Sequence, residues 1–214
     1  MSQITFKRRY DSDFGAQMAK SSKQSTNAAD CESLKTSDRL VWVDCEFTGL
    51  KEDSQLLEIA CIITESDLSI VDECPSIIIH QSDDVLAQMD DWCVKTHGKS
   101  GLTDAVRRST ISIVDAEALV VDFVSKHCCE KQCCMAGNSV HVDRLYLVKY
   151  FPRLIAYLHY HIVDVSSFKE MIRRWRPDIY CDAPKKLLCH RALDDIKESI
   201  AELKFYKEQL FDRK

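Results

Sequence analysis

The sequence has little glycine and proline, with 5 and 4 among its 214 residues. Both residue types interrupt helices and strands, so their scarcity favours a domain rich in the two. Long apolar runs are also missing, and no stretch approaches the about 18 apolar residues of a membrane-spanning helix. A basic surplus is absent too, because the formal net charge is −5. This charge disfavours a grip on long nucleic acid through many phosphates. Any nucleic-acid ligand should be short or held by its end.

Cysteine, in contrast, is abundant, with 11 residues. Their odd number and the lack of a visible signal peptide argue against a secreted disulfide scaffold. We therefore expect a reducing compartment, the cytoplasm or alternatively the mitochondrion. The adjacent pairs Cys128-Cys129 and Cys133-Cys134 do not have the Cys-x2-Cys spacing of common zinc sites, and we do not expect them to form one.

The chain is expected to divide into a tail and one domain. Residues 1–37 are polar, without a sustained apolar period, and are predicted to be a disordered or targeting tail. Residues 38–214 are long enough for a single domain with a substantial core.

Apolar patterns within 38–214 predict an α/β domain with a mixed five-stranded sheet flanked by helices. An antiparallel meander of three strands precedes alternating helices and strands. Pro75 should mark a bulge or an edge in the third strand. Residues 83–110 should be irregular or helical, broken at Gly98 and Gly101. The predicted strands are 40–47, 57–64, 70–80, 134–138 and 161–165. Helices are predicted at 113–127 and at 142–150, the second of which should end before Pro152. A third helix should begin at the capping box Ser167-x-x-Glu170 and end at 175, before Pro177. After a loop at 178–189, the last helix should begin at about 193.

The first predicted strand carries acids on a face that should be covered. Strand side chains alternate, so Trp42, Asp44 and Glu46 point one way and the intervening apolar residues the other. Paired carboxylates in a covered position repel each other and need a cation, for which a divalent ion with oxygen ligands is suited. The alternative is that both acids lie at a frayed, solvated strand end.

Further acids begin two predicted helices. Asp143 follows Gly137-Asn138-Ser139, and Asp195 lies in the first turn of the last helix. His190 is placed on the preceding loop, where a side chain with a pKa near neutrality is suited to act as a general base. The alternative for both aspartates is helix capping and dipole stabilisation, worth about 0.3–1 kcal/mol.

Asp44-x-Glu46, Asp143 and His190-x4-Asp195 together resemble the DEDDh group of 3′→5′ exonucleases, which have a ribonuclease H-like fold. Within that group the chain is similar to the oligoribonuclease family over about residues 40–206. The matching stretches are 42–50, 57–60, 80–83, 89–92, 137–139, 143–144, 157–160, 164–166, 173–175 and 190–196.

The resemblance implies an enzyme that hydrolyses very short RNA, dinucleotides above all, to nucleoside 5′-monophosphates. It implies two divalent cations, Mg²⁺ or Mn²⁺, in each active site, and a homodimer. The metal ligands would be Asp44, Glu46, Asp143 and Asp195, and His190 would take the proton from the attacking water.

It also implies a set of substrate-binding residues. These are Leu50 as a wedge between bases, Trp92 as a stacking platform, Tyr160 from the second subunit, and Ser139, Ser166 and His97 around the 5′ phosphate. His161 stands where the family usually has Arg, which weakens the expected phosphate contact. The alternative for Leu50, Trp92 and Tyr160 is ordinary core packing or dimer contact.

Two other functions remain open at this point. One is a 3′→5′ exonuclease for longer RNA or DNA. The other is a non-catalytic nucleic-acid-binding module of the same fold, which the loss of any of the four acids would have favoured.

Overall fold

The structure is a computed structural model that describes residues 38–185 and 191–211. The predicted tail at 1–37 lies outside the described residues, and so does His190 in the segment before the last helix. In the described part of the chain, no helix is long and apolar enough to cross a membrane.

Five strands form one mixed sheet, which confirms the predicted α/β class. Its order is β3-β2-β1-β4-β5, with β1 antiparallel to β2 and parallel to β4. The strands are β1 (Leu40–Phe47), β2 (Leu56–Thr64), β3 (Ile70–Ile78), β4 (Cys134–Gly137) and β5 (Ile162–Asp164).

Helices connect and cover the strands. In chain order the described helices are α1 (Asp83–Leu86), α2 (Asp91–Lys99), α3 (Leu102–Arg108), α4 (Ile113–His127), α5 (Val140–Tyr150), α6 (Pro152–Tyr157), α7 (Val165–Trp175), α8 (Pro177–Asp182) and α9 (Ala192–Leu210). The long connection between β3 and β4 therefore consists largely of α1 to α4.

Both faces of β1 are covered, as its composition predicts. Val41, Val43 and Phe47 belong to a core cluster that also contains apolar residues of α4, α5 and α6. On the other face, Trp42 packs in a second cluster with Ile196 and other residues of α9. The second face is the one that carries the acids, so α9 both closes the core and approaches the candidate site.

The start of α7 differs from the prediction. Its N-cap is Asp164, whose side chain accepts a hydrogen bond from the backbone N–H of Ser166. The predicted capping box at Ser167 and Glu170 is therefore wrong by three positions. Asp164, at the end of β5, caps the helix three residues earlier than predicted. An aspartate can do so because its carboxylate is as effective as a hydroxyl group at accepting the N–H bonds of a helix start.

Two prolines begin helices that the sequence analysis did not predict. Pro152 starts α6 and Pro177 starts α8, so residues 178–182 are not part of a loop. Proline ends one helix and suits the first position of the next, because it needs no hydrogen-bond acceptor for an N–H.

The other backbone predictions are partly confirmed. Pro75 lies on the edge strand β3, where the register with β2 shifts. Gly101 separates α2 from α3 in the left-handed conformation, with φ 74°. Gly98, predicted as a break, lies inside α2 instead.

Candidate active site

Three carboxylates converge where β1 meets the first turn of α9. One oxygen from each of Asp44, Glu46 and Asp195 lies within 4.8 Å of the others. The strand contributes two of these groups because residues two apart share a face. Asp195 reaches them because α9 packs on that face of the sheet. All three are partly buried, so the alternative of frayed, solvated acids does not hold for β1.

Asp143 lies beside this group, on α5, but it is not among the three acids whose oxygens lie within 4.8 Å of one another. Its Oδ1 accepts a hydrogen bond of 3.0 Å from the backbone N–H of Cys45, the residue between the two acids of β1. Burial raises the pKa of the Asp143 carboxyl to about 7, although this hydrogen bond favours the charged form. The charge of Asp143 also raises the pKa of Glu46, so the two carboxyls oppose each other's ionisation without a cation.

The Glu46 carboxyl has a strongly raised pKa. This pKa is raised to about 8, mainly by burial and in addition by the negative charges of Asp195, Glu58 and Asp143. A divalent cation would offset the repulsion between these carboxylates and favour the charged form of Glu46. The donor set therefore fits a hard metal ion, which prefers carboxylate oxygens. The Cys45 thiol is no ligand, because burial raises its pKa and its side chain lies on the other face.

An ion pair behind the acids was missed by the sequence analysis. Glu58 lies directly opposite Glu46 in the β1–β2 register and is fully buried. The Arg191 guanidinium binds the Glu58 carboxylate, with Nη2 3.0 Å from Oε1 and Nε 3.1 Å from Oε2. The two residues are 133 positions apart, so no local pattern could have indicated the pair. Arg191 is the N-cap residue of α9 and lies four positions before Asp195, so this contact fixes the helix end that carries a site acid.

A cavity of about 420 Å³ lies beside Glu46. Leu50, Trp92 and His97, all predicted to contact substrate, line it. Leu50 and Trp92 are 77% and 58% exposed, which excludes ordinary core packing for these two side chains. His97 is buried, and its Nε2 lies 2.9 Å from the carbonyl oxygen of Phe47 at the end of β1.

Ser139 and Ser166 also come together, at the carboxyl ends of β4 and β5. The Ser139 hydroxyl donates to that of Ser166 at 3.1 Å, and the Ser166 hydroxyl donates to Oδ1 of Asn138. Asp164 Oδ1 accepts both of their backbone N–H groups. Ser139 has a positive φ of 52°, an uncommon conformation that this acceptor helps to hold.

Tyr160 and His161 lie elsewhere in this chain. Both precede β5, whereas the two serines follow the carboxyl ends of β4 and β5. Three strand positions from His161 to Asp164 correspond to about 10 Å. Within one chain the structure therefore does not bring Tyr160 and His161 to the serines. Tyr160 is 62% exposed, so it is open to contact with another molecule.

Comparison with known proteins now identifies the family. A protein-family model described as an exonuclease (RNase_T) matches residues 41–203. The mitochondrial oligoribonuclease of Homo sapiens is 52% identical over 177 residues, covering 82% of this chain and 75% of that protein. The oligoribonuclease of Marinobacter nauticus is 50% identical, covering 83% and 99% respectively. The chain belongs to the oligoribonuclease family. As a member of that family it is an exoribonuclease.

Solved structures of exonuclease I have the same fold as this chain of the oligoribonuclease family. A zinc-bound complex of E. coli exonuclease I with single-stranded DNA is 16% identical, with a TM-score of 0.63. The alignment covers 81% of this chain and only 41% of that one. A thermophilic exonuclease I from Methylocaldum szegediense gives 18% identity and a TM-score of 0.60, with 80% and 41% coverage. The chain thus spans about two fifths of these structures, which show the fold alone.

Proposed function

We propose that this exoribonuclease hydrolyses short oligoribonucleotides, dinucleotides above all, from the 3′ end to nucleoside 5′-monophosphates. The observation that carries the proposal is the position of the cavity lined by Leu50 and Trp92. It adjoins Glu46, whose carboxylate belongs to the cluster with Asp44 and Asp195. A scissile phosphate at the acids would thus have a base binding site next to it.

The four acids hold the cations, for which we propose Mg²⁺ or Mn²⁺, two in each active site. Asp44 and Glu46 come from β1, Asp143 from α5 and Asp195 from α9. When bound, two divalent cations stabilise the charge on the attacking and leaving oxygens of a phosphodiester. His190, outside the described residues, is proposed to take the proton from the attacking water.

The cavity residues would bind the bases. Trp92 offers an exposed ring, and stacking on an aromatic side chain is worth about 1–3 kcal/mol for any base. Leu50 would separate the two bases as an apolar wedge. This kind of contact is independent of sequence, as an enzyme that clears RNA fragments requires.

The 5′ phosphate would bind at the Ser139 and Ser166 hydroxyls, with His97 as a further contact. A closed phosphate site sterically excludes longer chains. The net charge of −5 supports this choice, because a long RNA would require many basic phosphate contacts. Selectivity for short RNA would then come from both the shape and the charge of the protein.

We propose a homodimer in which Tyr160 reaches the partner's active site, with His161 beside it. Exposed apolar side chains support an interface: Tyr160 is 62% exposed, and Leu145 and Val148 are 71% and 56% exposed on one face of α5. For the location of the protein we keep the prediction from the sequence, which is the cytoplasm or alternatively the mitochondrion.

The test measures initial rates of the purified protein on labelled RNAs of increasing length, from a dinucleotide to a decanucleotide, with Mg²⁺. We expect the rate to be highest for the dinucleotide, and Asp44→Asn to remove it. Faster hydrolysis of the decanucleotide, or of single-stranded DNA, would favour the alternative of a 3′→5′ exonuclease for longer chains. Tight RNA binding without hydrolysis would favour the binding module.

A further inference from the structure

A second group of metal-ligating side chains lies at the amino ends of β4 and β5. One ligand atom from each of Cys134, His159 and His161 lies within 4.8 Å of the others. The Cys134 sulfur is 3.8 Å from Nδ1 of His159. The parallel pairing of β4 and β5 creates this contact. Met135 lies opposite Ile162, so the preceding residues, Cys134 and His161, are next to each other at the amino ends of the two strands.

The group is separate from the nuclease site. Cys134 lies opposite Leu40 at the start of β1, four residues before Asp44. Four strand positions correspond to about 13 Å, so neither set of ligands can share an ion with the other. The ligand types differ as well, since one set has only oxygen atoms and the other only sulfur and nitrogen.

The chemistry of this set suits a borderline-soft cation. One thiolate with two imidazoles, and a fourth position left to solvent, is a ligand set that Zn²⁺ adopts in proteins. Tetrahedral geometry with Zn–S of about 2.3 Å and Zn–N of about 2.0–2.1 Å places sulfur and nitrogen roughly 3.5 Å apart. The observed 3.8 Å requires only a small contraction. Nδ1 of His159 accepts the backbone N–H of His161 at 3.1 Å, so this nitrogen carries no proton, and a metal ion bound to it would replace that hydrogen bond.

We propose that Cys134, His159 and His161 form a binding site for Zn²⁺ or a cation of the same class. The adjacent cysteine pairs are not sufficient for such a site, and the histidines that complete it come from a segment 25 residues later. Binding exchanges the proton of the Cys134 thiol for the metal and leaves the imidazoles neutral. Solvent reaches the site from the side of His161, the exposed ligand.

The bound cation fixes the segment that presents Tyr160. The Tyr160 ring stacks on His159, with centroids 4.5 Å apart, and meets His161 edge-on at 4.1 Å. A metal that joins both histidines restricts the backbone on either side of the tyrosine. If Tyr160 reaches a partner's active site, as the proposed function holds, the cation also sets the geometry of that contact.

Titration of the full-length Asp44→Asn variant with Co²⁺ tests the site without interference from the nuclease ligands. We expect one Co²⁺ per chain with a thiolate-to-metal charge-transfer band, displaced by Zn²⁺. Cys134→Ala should abolish the band. The affinity for Zn²⁺ should fall by at least about 100-fold. Loss of a residue that only hydrogen-bonds to a metal ligand already lowers affinity by up to about this factor, and Cys134 would be a direct ligand.

Matched variants separate this site from the other cysteines. Cys129→Ala changes an exposed thiol nearby and should leave the band unchanged. His161→Arg, which introduces the residue usual in the family, should abolish binding while thermal unfolding shows an intact fold. The proposal is overturned if no thiolate band appears, or if the band survives in both Cys134→Ala and His161→Arg. Because the readout is metal binding, failure here leaves the nuclease proposal untouched.

Discussion

The side chain of Asp143 is anchored to the backbone between the two acids of β1. Its Oδ1 accepts the Cys45 N–H at 3.0 Å, which ties the start of α5 to the strand that carries Asp44 and Glu46. Asp143 therefore has a structural role, as a hydrogen-bond acceptor, and a proposed catalytic role, as a metal ligand. Two substitutions can separate these roles.

We expect Asp143→Asn to keep the acceptor and lose the charge. Its unfolding temperature should match or exceed that of the wild type in a chelator, because a buried carboxyl no longer has to ionise. Hydrolysis should fall at least about 100-fold, since several kcal/mol of charge stabilisation are lost. Dinucleotide hydrolysis and thermal unfolding measure the two effects.

Asp143→Ala removes both functions and should be about 1–3 kcal/mol less stable than the Asn variant, because the Cys45 N–H loses its partner. Asp122→Asn is the matched control, since Asp122 is an exposed partner of Lys126 on α4. An Asn variant with full activity would contradict the metal assignment of Asp143.

The raised pKa of Glu46 predicts how stability depends on pH without metal. Its ordinary value is 4.5 and its value in the folded protein is about 8. Between these values the folded state binds more protons than the unfolded state, so stability falls as pH rises. Metal-free protein should therefore melt at a lower temperature at pH 8 than at pH 5.

Mg²⁺ or Mn²⁺ should reverse this trend, with a larger gain in melting temperature at pH 8, where the carboxylates are ionised. Glu46→Gln should reduce the pH dependence of the metal-free protein, of which the raised pKa of Asp143 retains a part, and should raise its stability at pH 8 by about 1–2 kcal/mol. Scanning calorimetry with a chelator and with metal makes the comparison. An equal metal effect at both pH values would show that binding does not involve this acid.

The Glu58–Arg191 pair predicts a stability effect for two residues to which the sequence analysis assigned no role. Arg191→Ala leaves the fully buried Glu58 carboxylate without its cation and should cost about 3–5 kcal/mol. Adding Glu58→Gln should recover part of that loss, because the charge is removed. Denaturant unfolding of the single and double variants measures the coupling. Additive losses would mean that the two side chains do not interact.

Trp92→Ala should weaken dinucleotide binding by about 1–3 kcal/mol, the value of one stacked base. Trp175→Ala serves as the control, because Trp175 is 72% exposed at the end of α7 and does not line the cavity. Equilibrium binding to an inactive background such as Asp44→Asn avoids turnover. Equal losses in the two variants would remove Trp92 from the proposed substrate site.

Regular patterns allowed much of the fold to be predicted. Leu40–Phe47 and Ile113–His127 have the predicted bounds. The strand has apolar residues on both faces and is interrupted only by its two acids, and the helix begins at a Ser112 cap. Predictions failed where two local rules competed, as at Asp164 against Ser167, and at Pro177, which both ends and begins a helix.

The candidate site was less accessible from the sequence. Residue spacing placed Asp44 and Glu46 on one face, but the addition of Asp143 and Asp195 depended on the resemblance. The Arg191–Glu58 pair and the Cys134–His159 contact join residues distant in sequence, so local patterns carry no signal for them. Whether Tyr160 contacts a partner is a property of an assembly and not of one chain.

The register of β1 against β2 makes the site vulnerable to a particular genetic change. Glu46 faces Glu58 in that register, and alternate residues exchange faces with every single-residue step. Deleting one codon within β1 would turn Asp44 toward the apolar layer beneath α4 and present Val43 to α9. Insertions or deletions of one residue should therefore be much rarer among natural variants in this strand than in the turn at 66–69. In that turn the same change moves no catalytic group.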